Sequence, residues 1–88
     1  MSTNQIEKIL KALANKRRLA IIKFLSKNES ACVVEITKEI RISFKSTSKH
    51  LEKLKAADIV NSEYRKSNNY YRLGSTDTPF IKEVLKLL

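Results

Sequence analysis

The chain has 88 residues, 42% hydrophobic and 31% charged, which is enough for one small core, too little for two domains, and neither disordered nor fibrous in character. No apolar run reaches the roughly 20 residues of a membrane span, and the polar N-terminus lacks the apolar heart of a signal peptide, so a cytoplasmic protein is expected. Eighteen Lys and Arg stand against nine Asp and Glu, a net charge of +9, which points to a polyanion, with nucleic acid ahead of an anionic membrane surface.

With one Pro and one Gly, helix is the default state of this chain. Ile6, Ile9, Leu10 and Leu13 follow the i, i+3, i+4, i+7 spacing of a helix buried on one face. Asn15 caps a second helix carrying Leu19, Ile22 and Leu25 on one stripe, and Asn28 ends it. A short apolar piece, Ala31 to Val34, leads to a third helix with Ile36 and Ile40 at i, i+4. Ser43 is a good cap for a fourth, running to about Ala57 with Thr47, Leu51 and Leu54 inward. Asp58 stops it. Val60 to Arg65 and Tyr70 to Leu73 are strand-like, with the turn-rich Lys66-Ser67-Asn68-Asn69 between them, so a two-stranded hairpin is expected. Thr78 caps a final helix with Pro79 at its first position and Phe80, Ile81, Val84, Leu85 and Leu88 along one side. A short helix, a tight turn and a capped basic helix make a helix-turn-helix, and the hairpin behind it makes a wing. The expected fold is mainly α with a small β-hairpin, a single winged helix-turn-helix over residues 1–88.

The charge is uneven. Residues 67–88 carry three positive and two negative charges, so the excess lies in the first two thirds and the last segment has a different task. Single copies of Cys, His and Gly exclude an intrachain disulfide, an all-cysteine zinc site and a Gly-rich phosphate loop. No nucleophile–base pair or metal cluster is visible, so neither an enzyme nor a cofactor is expected, and no small-molecule ligand is identifiable.

At this point the residues resemble a known family. Leu13-Ala14-Asn15-Lys16-Arg17-Arg18-Leu19 is similar to the L-x-D-P-T-R-L entry to the second helix of ArsR-type winged-helix repressors. Ile42-Ser43-Phe44-Lys45-Ser46-Thr47-Ser48-Lys49-His50-Leu51 resembles that family's L-S-Q-S-T-V-S-R-H-L recognition helix. Lys55-Ala56-Ala57-Asp58-Ile59-Val60 resembles R-x-A-G-L-V, and Tyr70-Tyr71-Arg72-Leu73 the Y-Y-R-L that closes the wing. The resemblance implies a homodimeric transcriptional regulator, often a repressor, whose terminal helices form the dimer interface. The chain departs from the pattern where Phe44 replaces a Gln that commonly reads bases, where Lys16 replaces a Pro, and where Asp58 replaces a Gly. It departs also at Cys32-Val33-Val34-Glu35-Ile36, which stands where many members carry C-V-C-D-L for metal sensing. One thiolate of that pair is missing, and the last helix has no His, so no metal site is expected.

The candidate site follows from helical geometry. Lys45 and Lys49 lie opposite the Thr47–Leu51–Leu54 stripe with Ser48 on the flank, which suits docking in the major groove. Ser43 and Phe44 begin that helix; Phe44 either packs beneath its start or meets a thymine methyl. Arg65, Lys66 and Asn68 are the wing's candidates for backbone or minor-groove contact, with Arg17 at the second helix. Arg18 is expected to be a structural pairing residue and His50 a partly buried residue near the helix–wing junction. Tyr64, Tyr70 and Tyr71 are expected as half-buried strand residues rather than a stacking platform, and Cys32 as a small core residue. Ile6, Ile9, Leu10, Leu13, Phe80, Ile81, Val84, Leu85 and Leu88 are the expected dimer surface. The leading expectation is a sequence-specific regulator binding double-stranded DNA as a homodimer. A winged-helix module for RNA or a protein partner, and a redox- or metal-responsive sensor of the same fold, are the alternatives.

Overall fold

Local hydrogen bonds set most helix boundaries. A computed structural model of the chain describes residues 1–74 and 78–88, the side chains of Thr78 and Pro79 excepted. Helix α1, Thr3–Leu13, opens with a reciprocal capping box. The Gln5 amide donates to Ser2 Oγ at 3.1 Å and the Ser2 amide to Gln5 Oε1 at 2.8 Å, satisfying two amides that the helix leaves unpaired. Helix α2, Lys16–Lys27, starts on Asn15, whose Oδ1 accepts from the Arg17 and Arg18 amides at 2.9 and 3.2 Å. At its end Asn28 Nδ2 donates to the Phe24 carbonyl at 2.8 Å.

Next come the short strand β1, Ala31–Cys32, and helix α3, Val33–Ile40. The Cys32 amide donates to Glu35 Oε1 at 2.9 Å, and that bond holds the Glu35 carboxyl below its ordinary pKa. Helix α4, Phe44–Ala56, is capped by Ser43, whose Oγ accepts from the Ser46 amide at 3.1 Å. Its C-terminus is a Schellman turn. Asp58 takes the left-handed conformation with φ 59°, its amide donates to the Lys55 carbonyl, and the Ile59 amide to the Leu54 carbonyl. The expected Gly is therefore replaced without loss of the turn.

Strands β2, Val60–Arg65, and β3, Asn68–Leu73, pair antiparallel from Val60↔Leu73 to Arg65↔Asn68. The expected four-residue loop is thus a two-residue turn, Lys66 and Ser67, at φ 51° and 65°. Both angles are positive, as a type I′ hairpin turn requires. The expected two-stranded hairpin also gains a strand: β1 pairs with β3, Ala31↔Tyr71 and Cys32↔Tyr70, giving the order β1-β3-β2. At the end of β3, Gly74 donates to the Ile59 carbonyl at 2.8 Å, and a Cβ there would lie 2.8 Å from the Asp58 carbonyl oxygen. The chain needs its one glycine where strand and Schellman turn pass this closely. Helix α5, Thr78–Lys86, closes the order; the cap expected of Thr78 and the placing of Pro79 fall outside the described side chains.

One apolar cluster holds these elements together. Ile21, Ile22, Ile36, Leu51, Leu54 and Val60 are fully buried at its centre, with Thr47 beside them. Thr47 Oγ1 donates to the Ser43 carbonyl at 2.9 Å, so this buried hydroxyl has its partner within the helix. Burial of Thr47, Leu51 and Leu54 fixes the rotation of α4 and leaves the opposite stripe outward.

Candidate nucleic-acid interface

The candidate surface is assembled on that helix. Lys45 and Lys49 are exposed and Ser48 is half-buried, as the helical wheel requires. Ser43 is exposed, and its hydroxyl is engaged in the cap. Phe44 is 57% exposed, which overturns packing beneath the helix start. As the first helical residue it precedes the turn in which α4 acquires its buried side.

Helix α2 is joined to α4 through Arg18. Its Nε donates to His50 Nδ1 at 3.1 Å and its Nη1 to the Ala12 carbonyl at 3.3 Å, linking the end of α1, the start of α2 and the middle of α4. Arg18 is thus a pairing residue. His50 is half-buried, as expected, and lies against the α2 N-terminus, where the arginine reaches it. Burial, and then the nearby Arg18 and Arg17 charges, lower the His50 pKa from its ordinary value. That shift favours the neutral ring, the form able to accept the Arg18 bond. Arg17 itself is exposed beside this joint.

The wing is held differently. Arg65 Nη2 donates to Ser30 Oγ at 3.0 Å, its Nε lies 4.0 Å from Glu63 Oε1, and its guanidinium stacks 4.3 Å over the Tyr70 ring. The wing's arginine is therefore turned onto the sheet and the α2–β1 connection. Lys66 and Asn68 are exposed at the tip, and Asn68 Nδ2 donates to the Lys66 carbonyl across the turn. Lys55 Nζ donates to Ser62 Oγ at 2.7 Å, tying the end of α4 to β2. Tyr70 and Tyr71 are half-buried as expected, whereas Tyr64 is 70% exposed near the end of β2. Phe44, Tyr64, Val33 and Val34 line one cleft with Ser67, Asn68 and Asn69, a grouping that sequence spacing did not reveal because it joins α3, α4 and the wing.

The expected dimer residues divide into two sets. Ile9, Leu13 and Ile81 are buried in the chain's own core. Leu10 is 50% and Leu88 42% exposed, and Ile6, Phe80, Val84 and Leu85 are half-buried. Cys32 is half-buried at the start of α3 rather than fully in the core. Among the described residues no cluster of three His, Cys, Asp or Glu is arranged to hold a metal ion, and no helix is long and apolar enough to cross a membrane.

Comparison with known proteins agrees with this architecture. The model of the bacterial regulatory protein arsR family matches residues 15–62, from the cap of α2 into β2. A helix-turn-helix-type transcriptional regulator of uncharacterized role from Methanocaldococcus jannaschii is 35% identical over 80 residues, covering 91% of this chain and 86% of that one. The transcriptional activator HlyU of Vibrio cholerae is also 35% identical over 80 residues, covering 91% of this chain and 73% of its own. A solved structure of HlyU from Vibrio cholerae superimposes with a TM-score of 0.83 at 32% identity, over 97% of this chain and 94% of that one. The homodimeric winged helix-turn-helix DNA-binding domain of a possible ArsR-family regulator from Mycobacterium bovis gives 0.85 at 26% identity, over 96% and 77%. These relatives are transcriptional regulators and not enzymes. With its capped recognition helix, its wing and this likeness along nearly its whole length, the chain belongs to the ArsR family of winged helix-turn-helix transcriptional regulators.

Proposed function

We propose that residues 1–88 form one sequence-specific domain for double-stranded DNA, with dimerisation helices at both ends, acting in the cytoplasm as a homodimeric repressor on a two-fold symmetric site. The observation that carries this reading is the amphipathic setting of α4. Its buried Thr47–Leu51–Leu54 stripe leaves Lys45 and Lys49 exposed near an N-terminus capped by Ser43. In a helix-turn-helix those first residues meet base edges while flanking groups meet phosphate. Lys45, Ser48 and Lys49 are assigned to base edges and adjacent phosphates. Lys66, Asn68 and Arg17 are assigned to the backbone, and Arg65 orders the wing that carries two of them.

Dimerisation is supported by the apolar side chains that α1 and α5 leave partly uncovered, Ile6, Leu10, Val84, Leu85 and Leu88. Both helices pack on α2, the helix that carries Arg18 of the joint with His50. The homodimeric Mycobacterium bovis domain supports the same assembly. Repression follows the resemblance of the recognition motifs and the simplest consequence of a dimer occupying its site, exclusion of other proteins.

The test is selection of duplexes from a random pool at several salt concentrations, with sedimentation of the free protein alongside. Enrichment of a palindromic duplex and a species of twice 10.1 kDa are expected. A monomer that binds all duplexes alike would overturn the reading. A reporter placed behind the enriched duplex then gives the sign of regulation, with reduced expression expected.

A further inference from the structure

Lys45 and Lys49 of α4 and Lys66 of the wing are exposed, and apolar side chains are exposed beside these elements. There Phe44, Tyr64 and Val34 are 57%, 70% and 45% exposed, and they converge with Val33 on one cleft of about 170 Å³. Exposed apolar residues scattered singly need no explanation, but a cluster marks a contact. Its remaining walls are Ser67, Asn68 and Asn69 of the wing, so the cleft lies between the start of the recognition helix and the wing. Phe44 is the first residue of α4, held there by the Ser43 cap. Resting on the double-stranded DNA reading above, we infer that Phe44, backed by Val34 and Tyr64, reads a thymine by packing against its 5-methyl group.

The occupant follows from chemistry and position. The first turn of a major-groove helix faces base edges, and the one apolar group those edges offer is the thymine methyl. Other base edges present donors and acceptors that a phenyl ring leaves unpaired, which penalises them in the same position. A polar side chain at this place would select by hydrogen bonding; Phe44 selects by apolar contact. Exposed Lys45 follows Phe44 and exposed Lys66 precedes Ser67 of the cleft wall, and these cations favour a polyanion over a protein partner as its occupant.

Deoxyuridine tests this directly, since it differs from thymidine by that methyl alone. Duplexes enriched from the random pool are prepared with dT or with dU throughout, then with dU at single positions. For the unaltered protein, dU is expected to weaken binding about fourfold per half-site, the change that one methyl-sized group withdrawn from water corresponds to. The effect should map to one thymine in each half-site. Phe44→Ala should bind the dT duplex as weakly as the dU duplex, with thermal stability unchanged because the side chain is exposed. Phe44→Leu should retain the preference. Enrichment of a duplex whose dT and dU forms bind equally well would overturn the Phe44 assignment and leave the DNA reading standing. So would a dT preference that persists in Phe44→Ala. Failure to enrich any duplex would overturn both.

Discussion

The recognition helix and the wing are secured by opposite means. Helix α4 is anchored from below, by fully buried Leu51, Leu54 and Thr47, and its lysines extend from a rigid base. The wing extends beyond the core. Its strands are exposed or half-buried from Asn61 to Asn69, and it depends on surface contacts of Arg65 with Ser30, Glu63 and Tyr70. Apolar burial is worth kilocalories per residue, whereas exposed polar contacts are worth tenths to about 1 kcal/mol each. One region thus holds its exposed lysines on a buried base, and the other is held by surface contacts alone.

The sharpest break of that contrast is Leu54→Ala. The side chain is fully buried beneath α4, so its truncation should cost about 2–5 kcal/mol, measured by urea unfolding. Truncating the exposed Tyr64 in the wing should stay within about 0.5 kcal/mol. Equal losses would mean that the wing shares the core.

For DNA binding the order reverses. Lys45→Ala and Lys49→Ala, on an exposed stripe, should leave the melting temperature unchanged and weaken the selected duplex by about 1–3 kcal/mol per lost base contact. Lys66→Ala should weaken all duplexes alike and make the salt dependence shallower by about one unit of slope. Arg65→Ala should do less to the salt slope than Lys66→Ala, and it should lower stability by about 0.5–1 kcal/mol, because its guanidinium already holds Ser30 and Tyr70. A salt slope that falls more for Arg65→Ala than for Lys66→Ala would show that the arginine leaves those partners for phosphate.

The same contrast decides what could be read from sequence. Caps at Asn15 and Ser43, the inward stripe of α4 and the wing strands were legible because each is set by residues within a few positions of one another. Strand β1 was not, since two residues carry no periodicity and their pairing with Tyr70 and Tyr71 is made by the tertiary fold. Periodicity marked Ile9, Leu13 and Ile81 as apolar without saying what covers them, and the protomer's own core does. Arg65 read as a free wing cation because Ser30 lies far off in the chain. Phe44 falls on the inner stripe of the wheel with Thr47 and Leu51, but the buried side of α4 begins only at Thr47, and Phe44 is exposed beside Tyr64 and Val34.

Acid should loosen the α2–α4 joint before it touches the wing. The folded pKa of His50 lies below its unfolded value, with burial the larger cause and the Arg18 and Arg17 charges behind it. Its contribution to stability is therefore fully present above about pH 6.5 and is lost as the pH falls through the folded value. Protonation would also remove the acceptor for Arg18 Nε. Unfolding measured between pH 7.5 and 5 should show a decline of less than about 1 kcal/mol attributable to this ring. His50→Gln should flatten that part of the profile. An unchanged profile in the variant would assign the decline to carboxylates.

The smallest expected effect sharpens the comparison from the wing side. Ser67 holds φ 65° at the second turn position, where a Cβ is strained and glycine is not. Ser67→Gly removes that strain but gives the unfolded chain more freedom to lose, so the two effects partly cancel. A net gain of about 0.5 kcal/mol is expected, or about 2–4 °C in melting temperature for a domain of this size. Amide exchange should slow across Arg65 and Asn68, the pair that closes the turn, while the amides of Leu51 and Leu54 exchange only as global stability dictates. If the wing opens locally while α4 stays folded, the slowing at the turn should equal or exceed the gain in global stability. If the wing opens locally, its amides should also be less protected than those of Leu51 and Leu54 before the substitution; equal protection in α4 and the hairpin would mean that the two regions unfold together and that the wing's independence is confined to its contacts.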